Sequence, residues 1–212
     1  MAKGISRELI VQTALDLLDE QGIDGVTARA LAHRLGVKAP ALYWHMASKQ
    51  EILDEMGTEI SRRVAAALSD EPQGETWSDG LAAYARVLRR EYLAHRDGAR
   101  TFSGTKLTDP GVLRAQEPWL ERLVASGISL EHGVAAAQLV TAFVVGFVIE
   151  EQERSGDRYP LAERDAALGD DAPLVRASGR YLFEDPAERF EAYLDVVLAG
   201  VAARYPTKEQ AG

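Results

Sequence analysis

Apolar residues recur along this chain at intervals of three and four, the period of helices that turn one face to a core. Ile10, Ala14, Leu17 and Leu18 form the first such stripe, with Asp16, Asp19 and Glu20 on the other side and Gly22 as its stop. Thr27 stands at the cap of a second, shorter helix whose inward residues are Ala28, Leu31, Ala32 and Leu35, closed by Gly36. Only a tight turn fits before Pro40, which suits the first turn of a third helix that is over by Met46 or Ala47. Ser48-Lys49-Gln50-Glu51 reads as a capping box and opens a fourth helix running to about Leu68.

Beyond a polar joint from Ser69 to Glu75, Thr76 caps a long helix carrying Trp77, Leu81, Tyr84, Leu88 and Tyr92. His95-Arg96-Asp97-Gly98 breaks it, and Gly104 to Gly111 reads as an irregular connection. Helical patterning returns over Leu113–Ala125 and Leu130–Arg154, while 155–173, rich in Asp, Gly, Pro and Arg, reads as loop. Pro186 opens a last helix, Ala187 to about Ala203. No β-alternating run and no repeat at solenoid spacing remains, so the expected fold is all-α: a small N-terminal three-helix unit over 1–48 and a larger helical body over 49–212.

The 212 residues are ordinary for a soluble globular chain, and the absence of cysteine excludes disulfides, thiolate metal sites and a cysteine nucleophile. The charged start argues against a secretory signal, and the apolar run Gly133–Ile149 falls short of a bilayer span, so the expectation is a cytoplasmic protein with no membrane partner. Net charge is −9, which taken globally speaks against nucleic acid. Its distribution reverses that inference: the first fifty residues hold six Lys/Arg against five Asp/Glu, so the acidity belongs to the body.

A short helix, a glycine turn and a very short helix over 27–46 have the grammar of a helix-turn-helix, whose second member enters the major groove. Leu42 is the one clearly core-directed residue of that member. Tyr43, Trp44 and His45 point about 100° apart in turn, so they cannot all face one core. On DNA the surface makes chemical sense. Lys38 and Lys49 meet phosphate, and Tyr43 and His45 donate to phosphate oxygens. Ala39, Pro40 and Ala41 allow close approach to base edges, and Arg29 suits a bidentate contact to guanine. Thr27 and Trp44 complete the expected DNA-binding set.

Val26-Thr27-Ala28-Arg29-Ala30-Leu31-Ala32-His33-Arg34-Leu35-Gly36-Val37, then Pro40-Ala41-Leu42-Tyr43-Trp44-His45 and Lys49, resembles the DNA-binding head of the TetR family of bacterial repressors. The likeness extends into the body, where Gly74-Glu75-Thr76-Trp77, His95-Arg96-Asp97-Gly98-Ala99, Gly104-Thr105, Gly127-Ile128-Ser129-Leu130-Glu131 and Glu150-Glu151-Gln152-Glu153 resemble the tetracycline repressor subgroup. The resemblance implies a homodimer on a palindromic double-stranded operator, released by a small-molecule inducer and closed by a four-helix interface of Leu130–Arg154 and the C-terminal helix. An activator or a ligand-independent regulator of the same fold is the alternative.

In the subgroup the drug arrives as a magnesium chelate held by a histidine and a glutamate, and the matching positions here are Phe102 and Glu150. The polar anchoring sites fall at Ala65, Tyr84 and about Trp119. Phenylalanine cannot ligate a metal, so the expectation is a flat, largely apolar inducer with no metal and no cofactor. Leu88, Phe102, Trp119, Val134 and Phe143 would grip it, with Tyr84, Thr105, Gln116, Gln138 or Glu150 orienting it. With no phosphate-binding glycine loop and no metal-spaced histidine pair, an enzyme is not expected.

Overall fold

The computed structural model describes residues 5–70, 74–154 and 160–205, and among them every regular element is a helix. Helices α1 (Arg7–Gln21), α2 (Ala28–Arg34) and α3 (Ala39–Tyr43) form the head, and α4 (Lys49–Asp70) leads from it into the body. The local signals act as the sequence analysis expects. The Thr27 hydroxyl accepts from Ala30 N at 3.1 Å to cap α2, and Gly22 adopts φ 74° after α1, a conformation that costs a side chain energy and glycine almost none. At the start of α4 the box is modified. Ser48 Oγ accepts from Glu51 N, whereas the Glu51 carboxylate reaches past Ser48 to Ala47 N. That contact, together with Arg7, holds the Glu51 carboxyl below its ordinary range.

The body consists of α5 (Trp77–Leu93), α6 (Gly98–Phe102), α7 (Pro110–Arg114), α8 (Glu117–Ala125), α9 (Leu130–Arg154), α10 (Leu161–Leu168), α11 (Pro173–Phe183) and α12 (Pro186–Arg204). Helix α5 packs against α4, α9 and α12, and α9 also packs on α6, α8 and α12. One apolar core runs without a break from Ile10, Leu15 and Leu18 in the head, through Met56 and Ile60 of α4, to Leu81, Val140 and Phe190. Phe190 is fully buried, stacked on Phe143 with Phe147 edge-on. Burial of a side chain of that size contributes about 1.5–3 kcal/mol.

Three stretches depart from the sequence reading. Helix α7 starts at Pro110, inside the end of the interval expected to be irregular, and the single helix expected over Leu113–Ala125 is two, because Pro118 sits in the first turn of α8 and sets a new start. The loop expected over 155–173 holds α10, and α11 follows at Pro173; residues 155–159 lie outside the described residues. Helix α10 buries no residue and α11 buries only Gly179, so neither carries a core-facing stripe for the eye to find. They pack on each other, with Arg164 Nη2 donating to the Val175 carbonyl.

Helix α9 is long and apolar enough to cross a membrane by length and composition alone. In the fold its inner side is core, at Ala136, Val140, Val144 and Val148, while Leu130, Val134 and Leu139 stay exposed. On α12, Val196 is exposed as well.

Tyr92 lies in the core, and burial pushes its phenol up to about 12; Tyr84 shifts the same way, also through burial. Both shifts favour the neutral ring in the folded state. The associated stability is therefore complete below about pH 10, the unfolded value, and is lost as pH rises from there towards 12. We expect Tyr92→Phe to make alkaline unfolding shallower over that interval by about 2 kcal/mol, with little change at pH 7. Denaturant titrations of both proteins across the range measure it, at one fixed protomer concentration.

Candidate functional site

Two surfaces carry the chemistry. The first is on the head, where α2 packs on the short α3, whose one buried residue is Leu42. Lysine caps α3 and Pro40 opens it, so the five-residue helix begins cleanly despite its length. Trp44 is 89% exposed, and Tyr43 and Lys38 are also exposed, as are Pro40, Thr27, Arg29 and Lys49; Ala39, Ala41 and His45 are half-buried. All ten residues expected to meet DNA are thus exposed or half-buried. An indole this open has no packing role within the chain.

The cations of the head divide into two groups. Arg7 is committed to structure, reaching the His45 carbonyl and both Glu51 and Glu55 of α4, and these carboxylates raise its already high pKa. Arg34 makes a two-pronged contact with Glu20. Arg29, Lys38 and Lys49, by contrast, have no ion-pair partner among the described residues. All three are exposed, as are Tyr43 and Trp44, so the surface of the head offers cations without ion-pair partners together with exposed aromatic side chains. Such a surface attracts phosphate and admits base edges.

The second surface is a cavity of about 300 Å³ inside the body, walled by α4, α5, α6, α8 and α9. Of the residues expected to hold a ligand, Tyr84, Leu88, Phe102, Gln116, Trp119, Val134 and Gln138 line it. Ala65 lines it too. The Tyr84 hydroxyl shares a hydrogen bond with Thr141 Oγ1 at 2.8 Å, and its ring stands 5.8 Å from that of Trp119. The cavity is thus an aromatic slot with a few polar atoms, suited to a flat organic molecule.

Three expected residues are elsewhere. The α9 positions on the cavity are Val134, Gln138 and Thr141; at 100° per residue, Phe143 and Glu150 point about 200° and about 180° away from Thr141. Phe143 instead stacks on Phe190 at 5.4 Å, and Glu150, 59% exposed, pairs with Arg154 at 2.6 Å. Thr105 donates to the Phe102 carbonyl and fills the space left by Gly57. The cavity also uses residues the sequence reading omits, Gly57, Ser61, Tyr92, Arg122 and Thr141 among them. A threonine in the middle of the most apolar helix is a signal that could have pointed to this wall.

A divalent metal does not fit here. Phe102 offers only carbon, Glu150 is committed to Arg154 outside the cavity, and no cluster of three His, Asp or Glu that could hold a metal occurs among the described residues.

The cavity and the head meet at the break between α5 and α6. His95 is buried, its ring edge-on to Phe102 at 5.6 Å, and its Nδ1 donates to the Asp19 carboxylate of α1 at 3.0 Å. That assignment leaves Nε2 to accept from Arg63 of α4 at 3.3 Å. Arg96 N also donates to Asp19, and Asp97, held in the left-handed region at φ 55°, accepts from Ile23 N. Gln152 of α9 donates to the His95 carbonyl at 2.8 Å. One short segment therefore touches the cavity wall, α9 and the head at once.

Comparison with known proteins places this arrangement. Residues 10–56 match the family of bacterial regulatory proteins of the tetR family, and residues 70–205 match the tetracyclin repressor-like C-terminal domain. The class A tetracycline repressor protein from transposon 1721 of Escherichia coli is 38% identical over 199 residues, 92% of this chain and 89% of that one. A possible TetR family transcriptional regulator from Streptomyces coelicolor A3(2) superposes with a TM-score of 0.80 at 37% identity, covering 93% of this chain and 99% of its own. ActR of Streptomyces coelicolor, solved in complex with actinorhodin, gives 0.78 at 27% identity, over 95% and 97%. With the head model, the body model and full-length relatives in agreement, the chain belongs to the TetR family of bacterial transcriptional regulators.

Proposed function

We propose that this protein is a ligand-responsive transcriptional repressor which binds a palindromic operator as a homodimer and is released by a flat, largely apolar inducer. The observation that carries the reading is the His95–Phe102 segment, which lines the cavity at one end and grips Asp19 of the head at the other. Residues 1–48 act as the reading head and 49–212 as the sensing and pairing body. The exposed apolar faces of α9 and α12 are what a second copy would cover, giving a self-complementary interface. Thr27, Arg29, Lys38, Ala39, Pro40, Ala41, Tyr43, Trp44, His45 and Lys49 form the DNA set. Tyr84, Leu88, Phe102, Gln116, Trp119, Val134 and Gln138 form the inducer set. The site of action is the cytoplasm, where bacterial operators lie. No catalytic step is assigned.

Mechanism follows from the coupling of two equilibria. Without ligand, the paired heads span half-sites one helical turn apart, about 34–36 Å. A guest in the cavity presses Phe102, which stands against the His95 ring, and so favours a second placement of the 95–104 segment. Because that segment is tied to Asp19 and Arg63, the head and α4 move with it and the half-site spacing is lost. DNA and inducer then oppose each other by an equal, reciprocal factor; about 1–3 kcal/mol is typical of such coupling.

Three outcomes test this. Arg29→Ala should relax base preference at one position of each half-site, while Lys49→Ala should weaken all duplexes about equally and lower the salt slope by about one, as read by binding titrations at several salt concentrations. Asp19→Ala should leave inducer affinity within about twofold while cutting the inducer's effect on operator affinity by about 0.5–2 kcal/mol; unchanged coupling would disprove the route through His95. Adding magnesium or a chelator should not change inducer affinity, because Phe102 stands where a metal-ligating side chain would be needed.

A further inference from the structure

We infer that the inducer is a two-part molecule, an aromatic ring system carrying a neutral, hydroxylated ring such as a sugar, and that this second ring lies in a separate chamber beyond Trp119. This rests on the cavity being the inducer site and specifies what the inducer is.

The second chamber, about 260 Å³, lies at the start of α5 and the end of α8, and it shares Trp119 and Arg122 with the first. Alone, the first chamber is at the bottom of the range for small-molecule sites, about 300–1,000 Å³; the two together are well inside it. Trp119 is the common wall. Trp119 is half-buried, and its indole N–H has no acceptor among the described residues, which leaves it open to an oxygen of a ligand. Behind it is Gly80, where even a Cβ would come no closer than 3.9 Å to Trp119 Nε1. A mid-helix glycine costs about 0.5–1 kcal/mol relative to alanine, and here it leaves room beside the indole. Gly74 likewise places no side chain in the chamber.

The lining decides the chemistry. Trp77 and Trp119 line the chamber with carbon, and around them stand the Ser126 hydroxyl, which donates to the Leu123 carbonyl and can still accept, the Arg122 guanidinium and the Glu75 carboxylate. With both charge signs present, neither an anion nor a cation is favoured. A long alkyl tail would leave the polar groups unmatched. A compact neutral ring with C–H faces and several hydroxyls matches both the indoles and the polar rim, and one of its oxygens can take the Trp119 N–H. The first chamber, lined by Leu88, Phe102 and Val134, takes the aromatic part.

The test compares three probes by calorimetric titration of the full-length protein: β-naphthol, β-naphthyl glucoside, and the cyclohexyl ether of β-naphthol, which matches the glucoside in size but lacks hydroxyls. The glucoside should bind about tenfold tighter than either other probe. Gly80→Leu fills the second chamber and should erase that advantage while leaving β-naphthol affinity within about twofold. Gly80→Ala should erase part of it, and serves if the leucine variant does not fold. Equal binding of glucoside and naphthol, a cyclohexyl ether as tight as the glucoside, or a Gly80→Leu variant that keeps the full advantage or weakens all probes alike would each overturn the inference. Failure of β-naphthol itself to bind would instead strike at the cavity as the inducer site, and the inference would fall with it.

Discussion

One carboxylate fixes the relation between the two functional surfaces. Asp19, on the polar side of α1, accepts from the His95 ring and from the Arg96 backbone, and so anchors the head to the hinge of the body. His95 is buried, and an imidazole removed from water must have its nitrogens satisfied. Asp19 and Arg63 satisfy both, from two different helices. Without that pairing the head would still be joined to the body through α4 and through the Asp97 and Arg96 side chains, but it would lose its polar contact with the ring that stands against Phe102.

Helix α4 makes the rest of the coupling possible. Its first turns pack against the head and receive Arg7, its middle turns wall the cavity with Gly57, Ile60 and Val64, and Arg63 meets His95. A rigid rod that belongs to both surfaces cannot shift at one end without shifting at the other. The continuous core from Ile10 to Phe190 has the same effect, since close-packed interiors transmit displacement instead of absorbing it.

The division of charge follows the division of labour. Among the described residues of the head, Arg7 and Arg34 are neutralised by acidic partners, which leaves Arg29, Lys38 and Lys49 exposed without ion-pair partners on a chain that is acidic overall. Acidity in the body disfavours phosphate there relative to the head. The cavity, by contrast, keeps formal charge to Arg122 and relies on shape, aromatic walls and a few hydroxyls.

Much of this was written in the sequence alone. Helix periodicity, Thr27 and Thr76 as caps, Gly22 as a stop and the open surface of Tyr43 and Trp44 are all local matters, settled within one or two turns of chain. The head was therefore legible almost residue by residue, and the cavity was legible where resemblance supplied positions such as Tyr84 and Trp119. What the sequence could not settle was rotation about a helix axis. Phe143 and Glu150 are as apolar or as acidic as a ligand contact should be, yet α9 turns them to Phe190 and to Arg154 because Val134, Gln138 and Thr141 already occupy its cavity side. The partnership of Asp19 with His95 spans 76 residues of chain and has no periodic signature; only folding brings the two within hydrogen-bonding distance. Composition and spacing determine which helices form, whereas the packing of five of them around a shared space decides which atoms face it.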